Sequence, residues 1–186
     1  HKRLLKSPKR VSPYFIPSMI TDIASGHISI KYGFRGPNYS VVSACATGTH
    51  AIGDAYKMIK YNDADIIIAG GSEAGISPLS IAGFSNMKAL SKNNDVNKAC
   101  RPFDLNRDGF VMGEGSGILM LEKLENALNR NADILAEIVG YGATADAYHL
   151  TTPIPGGRGA KSAMSLAINE AKIKPSLVNY INTHGT

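Results

Sequence analysis

The sequence lacks the features that mark secreted, membrane-spanning and nucleic-acid-binding proteins. Its only two cysteines, Cys45 and Cys100, cannot form a disulfide framework, so we expect a reducing compartment, the cytoplasm. No apolar run approaches the ~20 residues that a membrane span needs, so we expect a soluble protein with no membrane partner. Aromatic residues make up only 7% and no nucleic-acid-binding motif is present, which disfavours nucleic acid as a partner. The remaining composition, 44% apolar and 19% charged, can bury a sizeable core.

The charge is modestly basic. Lys and Arg number 20 against 15 Asp and Glu, a net charge of +5. Seven of the basic residues fall early in the chain: Lys2, Arg3, Lys6, Lys9, Arg10, Lys31 and Arg35. The default interpretation is a solvated surface, whereas an acidic protein partner would be attracted to the same residues by long-range steering. Composition leaves both interpretations open.

Strand-like and helical apolar patterns alternate along the chain, which predicts an α/β fold. We expect helices over residues 47–61, 124–129 and 160–171, and strands over residues 39–44, 65–69, 117–122, 134–140 and 178–182. The first helix should turn Ala51, Ala55, Met58 and Ile59 inward, because they recur at spacings of three and four. The strands on either side of that helix should be parallel, in a right-handed βαβ unit. A change of structural unit is expected within the charged, Asn-rich segment 123–133.

Cys45 is the first candidate for chemistry. It lies where a predicted strand meets a predicted helix, among small residues (SACATGTH) that suit a sharp turn. A thiol there faces free backbone N–H groups and the positive end of the helix dipole, which favour the nucleophilic thiolate. The same N–H groups can stabilise an oxyanion if the thiolate attacks a thioester. Cys100 has no such setting, and we expect it to pack in the interior.

His184 is the second candidate. It follows an apolar strand-like segment and precedes Gly-Thr, so its ring should emerge at the carboxyl end of a strand, where α/β folds gather ligands. A lone histidine is usually structural, but a histidine that pairs with a nucleophilic cysteine is a candidate for catalysis. His50, on the helix itself, is expected to be structural.

Two weaker motifs suggest ligands. Residues 104–109 (DLNRDG) match the opening of a calcium-binding EF-hand loop, but the twelfth position is Gly115 and Glu114 comes one residue early. We therefore expect a tight, internally hydrogen-bonded loop and no metal site, with Ca²⁺ binding as a remote alternative. Two Gly-rich segments resemble nucleotide-binding loops only superficially. Segment 70–75 follows a predicted strand but starts no Gly-x-Gly-x-x-Gly phrase, and segment 113–117 runs into a strand instead of a helix, so no nucleotide is expected.

Five ordered phrases resemble one family. VVSACATGTHAIGDAYKMI, IIIAGGSEAGISPLSIAGFSNMKALS, CRPFDLNRDGFVMGEGSGILMLE, DAYHLTTP and NYINTHGT resemble the β-ketoacyl-acyl-carrier-protein synthases, condensing enzymes of the thiolase-like superfamily. The likeness runs from about Ser12 to the last residue and is closest to the synthase II branch. It implies an α/β thiolase-like layered fold of duplicated βαβ halves, only partly covered by this chain. Residues 1–131 would be most of the N-terminal half, and residues 132–186 the start of the C-terminal half.

The resemblance also implies roles for individual residues. Cys45 matches the acyl-accepting nucleophile, and His184 matches the first of two histidines that serve malonyl decarboxylation. Thr151 and Thr186 match threonines that hold the phosphopantetheine arm, and Phe84 matches an acyl-pocket residue. The docking residues for an acidic carrier protein would be Lys9, Arg10 and Lys88. Asp104 and Arg107 match a structural loop near the site.

The implied function is an acyltransferase of fatty acid biosynthesis that condenses acyl-ACP with malonyl-ACP to give 3-oxoacyl-ACP. Acyl carrier protein (ACP) is the implied partner, a homodimer is expected with segment 39–44 at its interface, and no cofactor is implied because phosphopantetheine arrives on ACP. The alternatives are a polyketide-type ketosynthase and an inactive truncated product. The chain begins with His1 and stops within a candidate site, before the family's lysine and second histidine, so we expect it to be part of a longer protein.

Overall fold

The computed structural model describes residues 2–185, which divide into two compact units between Thr47 and Gly48. The elements of the first unit are helix α1 (Lys2–Lys6), a 3-10 turn (Pro8–Arg10), helix α2 (Ile23–Tyr32) and a 3-10 turn (Ala44–Ala46). Helix α3 (Thr47–Lys60) begins at the division. The second unit continues with strand β1 (Ile66–Glu73), helix α4 (Pro78–Asn86), strand β2 (Gly115–Glu122), helix α5 (Leu124–Asn129), helix α6 (Arg158–Ala171) and a 3-10 turn (Pro175–Leu177). The mixture of helices and strands confirms the predicted α/β class.

In the first unit, α2 ends at Gly33 and the chain then returns along the helix. Gly33 adopts the left-handed conformation (φ 71°), and its N–H donates to the Ser29 carbonyl. The returning segment is held by side chains: the Ser25 hydroxyl donates to Asn38 Oδ1 at 2.8 Å, and the Ser40 hydroxyl donates to the Thr21 carbonyl at 2.9 Å. Residues 39–44 therefore form no strand, and that prediction is wrong. Side-chain bonds to the α2 region hold the segment, whereas a strand needs a backbone ladder.

In the second unit, β1 and β2 pair antiparallel, from Ile66 opposite Glu122 to Glu73 opposite Gly115. The predicted parallel βαβ unit over residues 39–69 is thus wrong in the described structure, because β1 pairs with β2 and not with segment 39–44. Strand β1 also runs further than the predicted residues 65–69, because it continues through Gly70 and Gly71 to Glu73.

A small core forms where α3 crosses this two-stranded sheet. Its buried members are Ala55, Ile59 and Leu121, and the half-buried apolar side chains packed on them are Ile52, Tyr56, Ile67, Ala69 and Ile138. The inward face predicted for α3 is confirmed for its centre, Ala55 and Ile59, and is half-buried at Ala51 and Met58. The 3.6-residue period therefore identified the packed face of this helix.

The remainder of the second unit is partly as predicted. Helix α5 has the expected bounds, and α6 begins two residues early, at Arg158, and ends at Ala171 as expected. Residues 134–140 and 178–182 form no strands, so those two predictions are wrong. Gly140 instead lies close against the backbone of α6. The alternating apolar residues of segment 134–140 therefore lead to a contact with a helix and not to pairing in a sheet. No helix in residues 2–185 is long and apolar enough to cross a membrane.

Candidate functional site

Cys45 lies in the 3-10 turn that leads directly into α3. The turn is sharp: Ala44 has a positive φ of 49°, and the Ser43 N–H donates to Thr47 Oγ1 at 2.9 Å across it. The Cys45 side chain is exposed. The turn before a helix is thus as predicted, although no strand precedes it. An exposed thiol next to the N-terminal end of a 14-residue helix can be reached by a thioester substrate.

Glycines bring the first turn of α3 against β1. A Cβ placed on Gly48 would lie 3.6 Å from both the Cα and the N of Gly71, an ordinary van der Waals contact. The helix that follows Cys45 therefore packs directly on a strand backbone at its N-terminal end.

Phe84 lies on α4, a helix whose N-terminus is capped by Ser77. The Ser77 hydroxyl accepts the Ser80 N–H at 3.2 Å, and Pro78 occupies the first helical turn. The Phe84 ring meets Phe110 edge to face, with ring centroids 5.2 Å apart. Phe110 is held in turn by backbone bonds to the neighbouring segment, from its N–H to the Ala89 carbonyl (2.9 Å) and from the Ser91 N–H to its carbonyl (3.0 Å). A second aromatic ring, that of Phe110, therefore packs against the ring of Phe84.

The loop that resembles an EF-hand is held partly by its own hydrogen bonds, as predicted, and partly by hydrogen bonds from residues outside it. Asp104 Oδ1 accepts the Asn106 N–H at 2.7 Å. The Asp108 carboxylate accepts hydrogen bonds from the Ser91 hydroxyl (2.7 Å), the Lys92 N–H (2.9 Å) and Arg101 (3.2 Å). These bonds lower the pKa of Asp108, and the bond from Ser91 has the largest effect.

Glu114, the acidic residue nearest the twelfth EF-hand position, points elsewhere, because its Oε1 accepts the Ile76 N–H at 2.9 Å. The carboxylates of the motif are thus engaged by donors from different segments. Within residues 2–185 no group of three His, Cys, Asp or Glu side chains could hold a metal ion.

His184 is exposed and follows no strand, so its predicted place at the carboxyl end of a strand is wrong. The residue after it lies against the loop that begins at Cys100. Gly185 has a positive φ of 68°, and a Cβ placed on it would lie 3.5 Å from the Phe103 ring and 3.6 Å from Pro102. The structure therefore brings the His184 segment next to residues 102–103, in the same unit as Phe84. Thr186 lies outside the described residues.

Thr151 lies in an exposed loop before α6 that is held by two polar side chains. Nδ1 of His149 accepts the N–H groups of Thr151 and Thr152, each at 3.1 Å. Oδ2 of Asp146 accepts the Ile154 N–H at 3.0 Å. These bonds use backbone N–H groups, and the Thr151 side chain is exposed.

The basic candidates lie on the surface of both units. Lys9 and Arg10 occupy the first 3-10 turn, where Ser7 Oγ accepts the Lys9 N–H at 3.3 Å, and both are exposed. In the second unit, Lys88 follows α4 with a positive φ of 58° and is also exposed. Arg10 also takes part in an open pocket of about 400 Å³, lined by Lys2, Arg3, Lys6 and Arg10.

Two expectations about other residues have opposite outcomes. Cys100 is exposed, so the prediction that it packs in the interior is wrong. His50 is half-buried, and its ring meets Tyr141 edge to face at 6.5 Å, which fits the structural role expected of it. Tyr141 itself was missed by the sequence reasoning; its position between two glycines, in Gly-Tyr-Gly, was the available signal.

Comparisons with known proteins agree with one another. Residues 2–127 match the model of the beta-ketoacyl synthase N-terminal domain, and residues 135–186 match that of the C-terminal domain. The chain is 56% identical over 187 aligned residues to the 3-oxoacyl-[acyl-carrier-protein] synthase 2 of Staphylococcus aureus, covering all of this chain and 46% of that protein. It is 51% identical to the mitochondrial 3-oxoacyl-[acyl-carrier-protein] synthase of Arabidopsis thaliana, covering 97% of this chain and 40% of that protein. The chain thus spans less than half the length of these relatives.

Solved structures show the same fold. A ketosynthase structure, described as a type II PKS acyl-carrier protein in complex with its ketosynthase bound to the hexaketide, superposes with a TM-score of 0.91 at 40% identity, over 96% of this chain and 44% of that one. A beta-ketoacyl synthase from Burkholderia phymatum superposes with a TM-score of 0.88 at 36% identity, over 98% of this chain and 45% of that one. The N-terminal domain model alone matches most residues of the chain, so the chain belongs to the beta-ketoacyl synthase family. It has part of the thiolase-like ketosynthase fold.

Proposed function

We propose that the protein is a condensing acyltransferase of fatty acid biosynthesis, which joins an acyl group to a malonyl unit, both carried on ACP, and forms 3-oxoacyl-ACP. The carrying observation is the exposed Cys45 at the turn into α3, in a chain 56% identical to a 3-oxoacyl-ACP synthase 2. A thiolate is the form that attacks a thioester, and the start of a helix favours it.

The first half-reaction is transfer of the acyl group. Sγ of Cys45 attacks the acyl thioester carbonyl, backbone N–H groups at the turn stabilise the oxyanion, and the phosphopantetheine thiolate leaves. Thr151 and Thr186 hold the phosphopantetheine arm, and Phe84 contacts the acyl chain. The protein needs no cofactor of its own, since the thiol that carries the substrate arrives on ACP.

The second half-reaction forms the carbon–carbon bond. The malonyl thioester loses CO₂, and the electron pair of the broken bond remains on its α-carbon as an enolate. His184, together with a lysine and a second histidine that the family carries downstream, stabilises this enolate. The α-carbon then attacks the acyl carbonyl on Cys45, and the Cys45 thiolate leaves. Each cycle releases one CO₂ and one free ACP thiol.

Alkylation of the intact protein tests the activated thiol. Cys100 is a built-in control, because it is exposed as Cys45 is. With a limiting amount of iodoacetamide at neutral pH, we expect Cys45 to be modified many times faster than Cys100, as peptide mass spectrometry would show. Equal rates at the two cysteines would refute the proposed nucleophile.

ACP is the proposed partner, docked by Lys9, Arg10 and Lys88. Support comes from the exposure of all three side chains and from the related ketosynthase solved with its carrier protein. Exposed charge pairs contribute only ~0.2–1 kcal/mol each and weaken with salt. Reversing all three charges should therefore raise the KM for acyl-ACP several-fold at low ionic strength and leave Cys45 alkylation unchanged.

A matched control reverses three other exposed lysines, Lys98, Lys161 and Lys174, which changes the net charge equally. If this control raises the KM for acyl-ACP as much, the increase is caused by the change in total charge, and the docking assignment is wrong.

Among related activities, fatty acid synthesis is preferred to polyketide synthesis, because the relatives at 56% identity are named 3-oxoacyl-[acyl-carrier-protein] synthase 2, whereas the polyketide ketosynthase is 40% identical. Product analysis with acyl-ACP and malonyl-ACP distinguishes the two, since repeated condensation without reduction would indicate the polyketide type.

A cytoplasmic homodimer is part of the proposal, with segment 39–44 at the interface, where Val42 is 76% exposed. Light scattering on the intact protein measures the oligomeric state.

A further inference from the structure

Residues 140–142, a Gly-Tyr-Gly segment, run between α3 and α6. The two glycines lie close against α6: a Cβ on Gly140 would overlap the Ala167 carbonyl, and one on Gly142 would overlap the Ala163 carbonyl. Neither position therefore accepts a larger side chain while the helix stays in place. The alternation of small and large residues lets the segment lie on the α6 backbone while Tyr141 projects to the opposite side.

Tyr141 projects onto α3. Its ring covers Gly53, a buried residue in the middle of that helix, so closely that a Cβ on Gly53 would overlap the ring. Lys57, one turn further along the helix, places its Nζ 5.2 Å from the ring centroid, and His50 meets the ring edge to face. Burial, and secondarily the charge of Asp54, raises the pKa of Tyr141. The ring is thus in contact with α3 over about two turns.

Glu170 of α6 completes the connection. Its Oε2 accepts the Tyr141 N–H at 2.8 Å, and its Oε1 accepts Lys60 Nζ of α3 at 2.7 Å. The hydrogen bond from Lys60 is the first cause that lowers the pKa of Glu170, and it raises the pKa of Lys60 above its usual range. One carboxylate therefore joins the Tyr141 backbone, α6 and the last turn of α3.

Together with the Gly48–Gly71 contact, these bonds attach α3 at its beginning, middle and end. We propose that Tyr141 is a positioning residue of the condensing site: seated on Gly53 and anchored by Glu170, it sets the placement of α3 and, through the helix, of the turn that carries Cys45. This rests on the proposed function, and it gives the segment after residue 140 a part in presenting the nucleophile.

The physical reason is the stiffness of the helix. A change at Gly53 is transmitted along α3 to its first turn, about two turns away, because a helix moves as a rigid element. The N–H groups of that turn must point to the place where the oxyanion forms, and a displacement of about 1 Å can cost up to ~100-fold in rate. A positioning role therefore predicts a loss of kcat with little change in KM.

The test uses the intact enzyme and four variants: Tyr141→Ala, Tyr141→Phe, Gly53→Ala and the double variant of both alanines. Tyr141→Ala should lower kcat about 10-fold or more, with the KM for acyl-ACP within about two-fold. It should also slow alkylation of Cys45 relative to Cys100. Tyr141→Phe should behave as wild type, because the contacts described use the ring and the backbone N–H.

Gly53→Ala approaches the same contact from the helix side. It should lower kcat because the new Cβ displaces the ring, whereas the same change in the Tyr141→Ala background should cause no further loss, because the ring is gone. This non-additivity separates the specific contact from general destabilisation. Lys60→Met, which loosens the end of α3, should have a partial effect, and Lys98→Met, which breaks an exposed pair with Asp95, should have none.

Unchanged kcat and unchanged Cys45 alkylation in folded Tyr141→Ala would overturn the proposal, as would strictly additive effects of the two alanines. If Tyr141→Ala does not fold, Tyr141→Leu, which keeps apolar bulk, and Gly53→Ala decide by the same criteria. Failure of the proposed function is distinct: wild-type Cys45 would then be no more reactive than Cys100, while the coupling of positions 53 and 141 would persist in unfolding measurements.

Discussion

Gly109 offers a sharp test of how the loop beside the candidate acyl pocket is built. Its φ of +146° is a conformation that L side chains rarely adopt. A Cβ there would also lie 2.5 Å from the Ser91 nitrogen and 2.6 Å from the Ala89 carbonyl oxygen, and both are backbone atoms that cannot rotate away. Gly109→Ala must therefore strain its own backbone and separate two chain segments.

The expected cost follows from these two effects. A residue forced into a sparsely populated backbone conformation costs about 1–3 kcal/mol, and overpacking costs about the same, so Gly109→Ala should lower the free energy of unfolding by about 2–6 kcal/mol. The contact that separates is the bridge between Leu90 and Phe110, and Phe110 supports the Phe84 ring. We therefore expect Gly109→Ala to lower the rate of acyl transfer from long-chain acyl-ACP as well as the free energy of unfolding.

Urea unfolding of the intact protein, followed by circular dichroism, measures the change. Gly113→Ala is the matched control, since its Cβ would meet nothing within 4 Å and its φ is not positive; it should be neutral or stabilise by about 0.4–1 kcal/mol. If Gly109→Ala is as stable as Gly113→Ala, the reasoning from close approach is wrong.

Two further predictions concern polar side chains. The bidentate hydrogen bonds from Arg130 lower the pKa of Glu122, so this pair stabilises the fold above the ordinary carboxyl pKa of 4.5 and loses that effect as the pH falls through the lower folded value. Arg130→Ala should therefore be less stable than wild type at pH 7 and approach it in acid, and a gap that widens in acid would contradict this sign. Asp146→Ala removes the acceptor of the Ile154 N–H, so limited proteolysis near Leu150, which is 99% exposed, should become faster, while an unchanged rate would mean that Asp146 does not hold this loop.

Several features could be predicted from the sequence because they depend on local periodicity or on quoted motifs. The apolar period of α3 predicted its packed face, and the bounds of α5 and the end of α6 followed from local pattern and composition. The family was predicted from ordered phrases, which the domain models and relatives confirm. The roles of Cys45, His184 and Phe84 remain predictions.

Strand pairing could not be predicted in the same way. An apolar run such as segment 39–44 has the composition of a strand, but a strand exists only where another backbone lies alongside it, and here side-chain bonds to the α2 region hold the segment. The residues that pair with β1 lie 42 to 56 positions further along the chain, from the Glu73–Gly115 pair to the Ile66–Glu122 pair, and no local pattern encodes that distance.

Local sequence therefore determined helices α3, α5 and α6, the turn before α3 and the residues available for chemistry, because 3.6-residue periodicity and small residues at a turn act over a few positions. Helices α1, α2 and α4 were not predicted. Only the tertiary structure decided which surfaces meet. Gly53 and Tyr141 lie 88 positions apart in the sequence, and each is ordinary by itself; the absent side chain of one becomes meaningful only because the ring of the other occupies its place. Such complementarity belongs to a pair of residues, so it becomes visible only when folding brings the two together.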